Sequence, residues 1–476
     1  MITFTVALVA LVLGYFLYGK FVERVFAPDN RVTPAVRKCD NVDFIPMKPW
    51  KIFMIQFLNI AGLGPIFGAI MGAKFGTASY LWIVFGCIFA GAMHDYVAGM
   101  ISMRHDGESL PGIVGRYLGV TTKNVMIFFT MVLMMLVAAV FVSGPAGLLQ
   151  NLTPISSQVW IYIIFGYYVL ATLLPIDKVI GKVYPLFAIA LIFMAVGILI
   201  MLYVKMPALP ELTDGLANTH PKADELPIFP IMFISIACGA ISGFHATQSP
   251  MMARCMEKES YGRPVFYGAM IVEGIVALIW AAAATYFFHE NGYGEGNAAV
   301  IVNSITGDWL GTAGAILAVL GVVFAPITSG DTALRSCRLI VADALKMEQK
   351  TIASRLKICL PIFVLTLAAL IYSLNDKEGF NLIWRYFSWM NQALSVFTLW
   401  AITVYLVKQQ KFYLLSLVPA LFMTMVCVTY LMIAPECFHL SSEVSYAVGA
   451  CSVFFSLIFF FQWKNKQAKA KEIGKE

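Results

Sequence analysis

Charge is what this sequence has least of. Among 476 residues only 13% are Asp, Glu, Lys or Arg, whereas 60% are hydrophobic; soluble domains carry about 25% charge. A soluble fold of this size has too little interior for so much apolar surface, so the solvent is lipid. Long polar stretches are also missing, which excludes a large soluble domain. The nine cysteines form no CxxC pair and show no ligand spacing, which argues against a disulfide framework or a cysteine metal site. No phosphate-cradling glycine loop is present, which excludes an ATP-driven pump in one chain. The net charge of +6 does not point to nucleic acid, because the basic residues are spread through short loops rather than gathered in a patch.

What is present in quantity is the apolar run. A span needs about 20 apolar residues, and such segments are read at 2–23, 50–73, 78–103, 123–150, 158–175, 180–204, 228–249, 263–288, 309–345, 355–374, 381–407, 411–433 and 443–463. The first run starts at once and has Lys20 and Arg24 behind it, the reverse of a cleaved signal peptide. Loop charges test the count of thirteen. With the N-terminus outside, every Lys and Arg falls in an inner segment except Lys74, Lys205, Lys222, Lys377 and Arg385. The tail from Lys464 is basic and is expected in the cytoplasm beside anionic lipid, while the outer loops lean acidic, as at Glu211, Asp214, Asp224 and Glu225. A wrong span count would scramble this alternation.

Two spans carry helix-breaking chemistry. The second reads Asn59-Ile60-Ala61-Gly62-Leu63-Gly64-Pro65, and the seventh reads Ser242-Gly243-Phe244-His245-Ala246-Thr247-Gln248-Ser249-Pro250. Glycine lets the chain leave helical angles, and proline lacks the amide hydrogen. Unwound backbone is tolerated in a membrane only where protein or a watery cavity satisfies it. Two such breaks in matching places of two halves point to a transporter binding site; close packing of kinked helices is the plain alternative. The breaks lie five spans apart, so their segments run in opposite directions. The expected fold is an all-α polytopic membrane protein with a LeuT-like five-plus-five inverted-repeat core. Its parts would be an N-terminal helix and loop over 1–49, repeats over 50–204 and 228–407, an external loop over 205–227, and two C-terminal helices with the tail over 408–476.

Ionisable groups inside spans are costly and usually functional. Asp95 follows His94 late in the third span, and Glu273 lies near the middle of the eighth with no basic residue close by. Asp331 follows Thr328 and Ser329 in the ninth, and Arg385, Asn391 and Gln392 lie in the eleventh. Glu273, Asp331, Asp95 and His245 are candidates for ion coupling. Asn59, Gly62, Gly64, Ser242, Gly243, His245, Gln248, Arg385, Asn391 and Gln392 are candidates for substrate binding. Thr328 and Ser329, with the carbonyl of Ala61, suit a Na⁺ ion, so the coupling ion is H⁺ or Na⁺ and no cofactor is expected. Each has a structural alternative: Asp331 can pair with Arg335 one turn on, Arg385 can reach an interface, and the hydroxyls can bond back to their own helix.

At these residues the sequence resembles the carbon starvation protein A (CstA) family. The matching stretches are Asp43 to Pro46 with Trp50, Ala61 to Pro65, Ala90-Gly91-Ala92 with Asp95, and Ile101-Ser102 through Arg104 with Asp106-Gly107 and Ser109-Leu110. Ser242 to Ala246, Asp331-Thr332-Ala333 with Arg335 and Arg338, and Trp384 with Asn391-Gln392 complete the set. The resemblance implies a bacterial inner-membrane protein of nutrient scavenging during starvation, taking up peptides, or pyruvate with protons. Both cargoes carry a carboxylate, which a half-helix N-terminus or Arg385 would receive; a peptide ammonium would suit Glu273 or Asp331. A channel or nutrient-sensing receptor is the competing expectation, and an intramembrane enzyme at His94 and Asp95 the weakest one.

Overall fold

The computed structural model describes residues 1–40, 43–173, 176–293, 298–349, 351–375 and 379–473. No β-strand occurs among them; a lone β-bridge joins Met47 and Met256. The helices are α1 (Ile2–Phe26), α2 (Pro49–Ile60), α3 (Gly64–Ala73), α4 (Ala78–Arg104), α5 (Leu110–Leu118) and α6 (Val120–Leu152). They continue as α7 (Ser157–Leu173), α8 (Ile176–Lys205), α9 (residues 228–235), α10 (Gly243–Ala253), α11 (Glu259–Asn291) and α12 (Ala298–Leu345). The last four are α13 (Ile352–Asn375), α14 (Gly379–Lys408), α15 (Leu414–Ile433) and α16 (Ser442–Ile473).

Ten helices among the described residues are long and apolar enough to cross a membrane, and the bent pair α2–α3 makes eleven. This establishes a multi-pass helical membrane protein of about ten spans. Two of the thirteen segments read from the sequence differ in form. The fifth, α7, is only 17 residues long. The seventh is two short helices, α9 and α10, separated by non-helical chain. The ninth starts earlier than 309, because α12 begins at Ala298 and turns at Gly311, whose φ of 64° suits glycine.

Side-chain size decides which helices sit inside. The apolar stretch of α11 is 89% buried, and its small residues Gly268, Gly274, Ala277 and Ala281 to Ala284 let neighbours come close. In α4 the figure is 83%, whereas in α16 it is 17%, with Phe454, Phe455 and Phe459 facing outward. So α4 and α11 form the centre, and α16 lies at the lipid-facing edge. Around that centre α6 packs on α12, α8 on α12, and α10 on both α4 and α14.

Candidate functional site

Both helix breaks exist, and they touch. The first opens at Ala61, whose ψ of 52° ends α2, and the axis bends by 53° before α3 resumes at Gly64. The second lies over 236–242, from Ile236 (φ −92°, ψ 68°) to the extended Ser242. Sequence reasoning set this second break at Ser242 to Pro250 and put His245 inside it. The structure moves it upstream: α10 is continuous from Gly243 to Ala253, with His245 in its first turn and Pro250 near its end. A proline eight residues into a short helix forfeits only one intrahelical bond, which the helix survives when neighbours hold it.

Close approach explains the glycines. A Cβ on Gly64 would fall 2.3 Å from Cys238 Sγ, so α3 leans directly on the second break. A Cβ on Gly243 would lie 2.5 Å from the Asn391 carbonyl oxygen. The unwound chain is thus enclosed by α3, α4 and α14 rather than by lipid, as buried polar backbone requires. Trp82 Nε1 donates to the Ile236 carbonyl (3.2 Å). Asn391 closes the other end: its Oδ1 accepts from Ser242 Oγ (3.0 Å) and from the Phe244 amide (2.7 Å), and its Nδ2 donates to Cys238 Sγ (3.5 Å). This side chain from α14 caps α10, a task usually done by the helix's own N-cap residue.

On the other side of the break four ionisable side chains line up, all fully buried. His94 Nδ1 and His245 Nδ1 each lie 2.8 Å from a different oxygen of Asp95. His245 Nε2 then faces Glu273 Oε2 at 3.4 Å. Neither that nitrogen nor either Glu273 oxygen has a hydrogen-bond partner among the described residues. The order His94–Asp95–His245–Glu273 links α4, α10 and α11. It follows a ten-residue π-helical stretch of α4, Trp82–Gly91; such wide turns recur at functional positions. With neutral imidazoles the two carboxylates carry −2, so two added protons make the cluster neutral. In a water-poor interior that difference is large.

The remaining candidates divide. Gln56 and Asn59, one turn apart on α2, are fully buried, and their four amide heteroatoms, like Gln248 Oε1 and Gln392 Oε1, have no hydrogen-bond partner among the described residues. Gln392 Nε2 reaches the Phe233 carbonyl only at 3.5 Å. Ser329 Oγ bridges to the Leu58 carbonyl (3.1 Å) and the Ala325 carbonyl (3.0 Å), and lies 3.3 Å from where a Gly62 Cβ would be, so it meets the first break. Thr328 bonds back to Phe324 and Ala325 of its own helix. Asp331 stands apart from the cluster: it accepts from Tyr184 Oη (2.9 Å) and lies 3.9 Å from Arg335, the structural pairing. Arg385 is 43% exposed and pairs with Glu436 at 3.3 Å. Cys238 escaped sequence reasoning, because its neighbours His245 and Glu273 are brought to it only by the unwound turn.

The site lies in a chain whose likeness to known proteins is extensive. The pattern of the family described as Carbon starvation protein CstA matches residues 1–153, 144–303 and 290–430. The chain belongs to the CstA family. An uncharacterized membrane protein of Haemophilus influenzae is 42% identical over 61% of this chain and 92% of its own. A peptide transporter CstA of Campylobacter jejuni is 31% identical over 56% of this chain and 47% of its own, and a pyruvate/proton symporter BtsT of Escherichia coli is 26% identical over 54% and 44%. The chain thus spans about half the length of these named CstA-family transporters. A mutant of the Eremococcus coleocola manganese transporter has a similar fold, with a TM-score of 0.53 at 12% identity over 90% of this chain and 99% of its own.

Proposed function

We propose that this CstA-family protein is a proton-coupled symporter that imports a small carboxylate-bearing nutrient, a peptide or pyruvate, across a bacterial inner membrane during starvation. The observation that carries this reading is the buried His94–Asp95–His245–Glu273 chain beside two touching helix breaks. Relatives named as a peptide transporter and a pyruvate/proton symporter support it. Substrate enters at the breaks, where the amides of Gln56 and Asn59 and the Gln248 Oε1 lack partners among the described residues. Each such group costs about 1–3 kcal/mol while unpaired, which favours a bound polar solute. Protons reaching Glu273 and His245 neutralise the cluster and let the loaded site turn to the other side.

In this reading the chain has thirteen spans, the bent pair counting as one and α9 with α10 as another. The N-terminus lies outside and the C-terminus in the cytoplasm. Residues 50–204 and 228–407 form the two inverted halves of a LeuT-like core. A sodium ion is the second reading, favoured by the contact of Ser329 with the Leu58 carbonyl at the first break. Ala61 and Thr328 would add oxygens there, all of them uncharged. The proton is preferred because the charged groups lie at the second break.

Purified protein in proteoliposomes tests this. Labelled pyruvate and a labelled dipeptide are offered under an inward proton gradient and, separately, an inward sodium gradient. Accumulation above the outside concentration is expected with protons alone. Accumulation with sodium alone would move the coupling to Ser329, and equilibration without accumulation under either gradient would indicate a channel.

A further inference from the structure

The acid–imidazole chain ends on a group that proton transfer does not use. Cys238, in the unwound segment, His245, on α10, and Glu273, on α11, offer a sulfur, a nitrogen and an oxygen that all lie within 4.8 Å of one another. All three residues are buried. His245 Nε2 and both Glu273 oxygens lack hydrogen-bond partners among the described residues, and the three donor atoms converge on one another. Tetrahedral metal–ligand bonds of about 2.0–2.3 Å place donor atoms about 3.3–3.8 Å apart. His245 Nε2 and Glu273 Oε2 already stand at 3.4 Å.

The surroundings are those that orient metal ligands. Asp95 holds His245 by Nδ1 at 2.8 Å, which fixes the ring and turns Nε2 toward the other two donors. A carboxylate behind the ligating imidazole is the usual outer partner of a metal-bound histidine. Asn391 Nδ2 donates to Cys238 Sγ (3.5 Å) and Ser242 Oγ accepts from it (3.7 Å), which holds the sulfur in place; a bound metal would displace the thiol proton. The ligand set is soft sulfur, imidazole and carboxylate, which selects zinc-class ions over manganese, magnesium or calcium.

We propose that Cys238, His245 and Glu273 form a binding site for a zinc-class divalent metal, and that its occupancy arrests transport. The ion ties the unwound segment to α10 and α11 and occupies the atoms that would take up protons. Binding itself does not depend on the transport reading; arrest rests on it.

Co²⁺ and Cd²⁺ are the probes, because a thiolate ligand gives each a sulfur-to-metal charge-transfer band. The detergent-solubilised full chain would carry Cys39→Ser and Cys451→Ser, which remove its two exposed thiols. One saturable equivalent per chain is expected, displaced by Zn²⁺ and not by Mn²⁺. Cys238→Ser should abolish the band, and Glu273→Gln should weaken binding at least tenfold; the second variant decides if the first does not fold. No band, or a band unchanged in the variant that folds, overturns the site. In proteoliposomes, substrate counterflow should be blocked by Zn²⁺, with at least tenfold less sensitivity in Cys238→Ser relative to that variant's own rate. Metal binding without block overturns arrest. Metal binding in a protein that moves neither substrate overturns the transport reading and leaves the site standing.

Discussion

At the scale of single residues, one position makes the most distinctive demand. Asn391 reaches from α14 to cap α10, accepting from both Ser242 Oγ and the Phe244 amide. Asn391→Leu orphans those donors in a dry interior and should cost about 1–3 kcal/mol, read as a lower Tm in detergent. Asn391→Asp keeps the accepting oxygen and should retain more of the stability than Asn391→Leu; equal loss in both would remove the cap from the account. A second residue reports on the surface. His220, in the chain between α8 and α9, has its pKa pulled down from the ordinary 6.5 to about 4, first by burial and then by Lys74 and Lys222. It is folded in its neutral form, so its contribution is complete above about 6.5 and is lost as pH falls toward 4. Protection factors in residues 206–227, corrected for the intrinsic pH dependence of amide exchange, should therefore fall over that window, and His220→Gln should flatten the change.

At the scale of elements, the central feature is two interrupted helices leaning on each other. Gly64→Ala would drive a methyl into Cys238, an overpacking that typically costs about 1–3 kcal/mol. Cys238→Gly in the same chain removes the opposing Cβ and sulfur, so the double variant should recover part of the Tm. Strict additivity would mean that the breaks do not touch. The sequence announced both breaks through Gly and Pro, and it singled out His94, Asp95, His245 and Glu273 as residues that do not belong in lipid. It misplaced the second break, because Gly243 marks the end of the unwound chain and Pro250 is tolerated within a supported helix. It also could not join Cys238 to His245 and Glu273, since an unwound turn has no period from which to project side chains. Arg385 and Asp331 look equally functional as letters, yet each has found a local partner, Glu436 and Tyr184 respectively.

At the scale of the whole molecule, burial and charge divide the work. Helices α4 and α11 have become the interior, while α16 faces lipid, a distinction that apolar content alone does not make because all three are hydrophobic. The Lys and Arg census speaks instead to orientation. It predicts that a cysteine at Asp224→Cys, which is exposed between α8 and α9, reacts with an impermeant maleimide added to intact cells. Lys466→Cys, exposed near the end of α16, should react only after the cells are opened. The opposite pattern would invert the topology, and labelling of both from outside would require an even number of spans between the two positions.

Coupling is the central claim, and simultaneous measurement of proton and substrate movement tests it most directly. Proteoliposomes holding a pH-sensitive dye are given labelled pyruvate or dipeptide with no gradient imposed. The account predicts that substrate entry acidifies the lumen in the wild type. It further predicts that Glu273→Gln moves no protons and accumulates nothing under an imposed gradient, while still exchanging labelled for unlabelled substrate. Substrate-linked acidification and uphill uptake that persist in Glu273→Gln would contradict it.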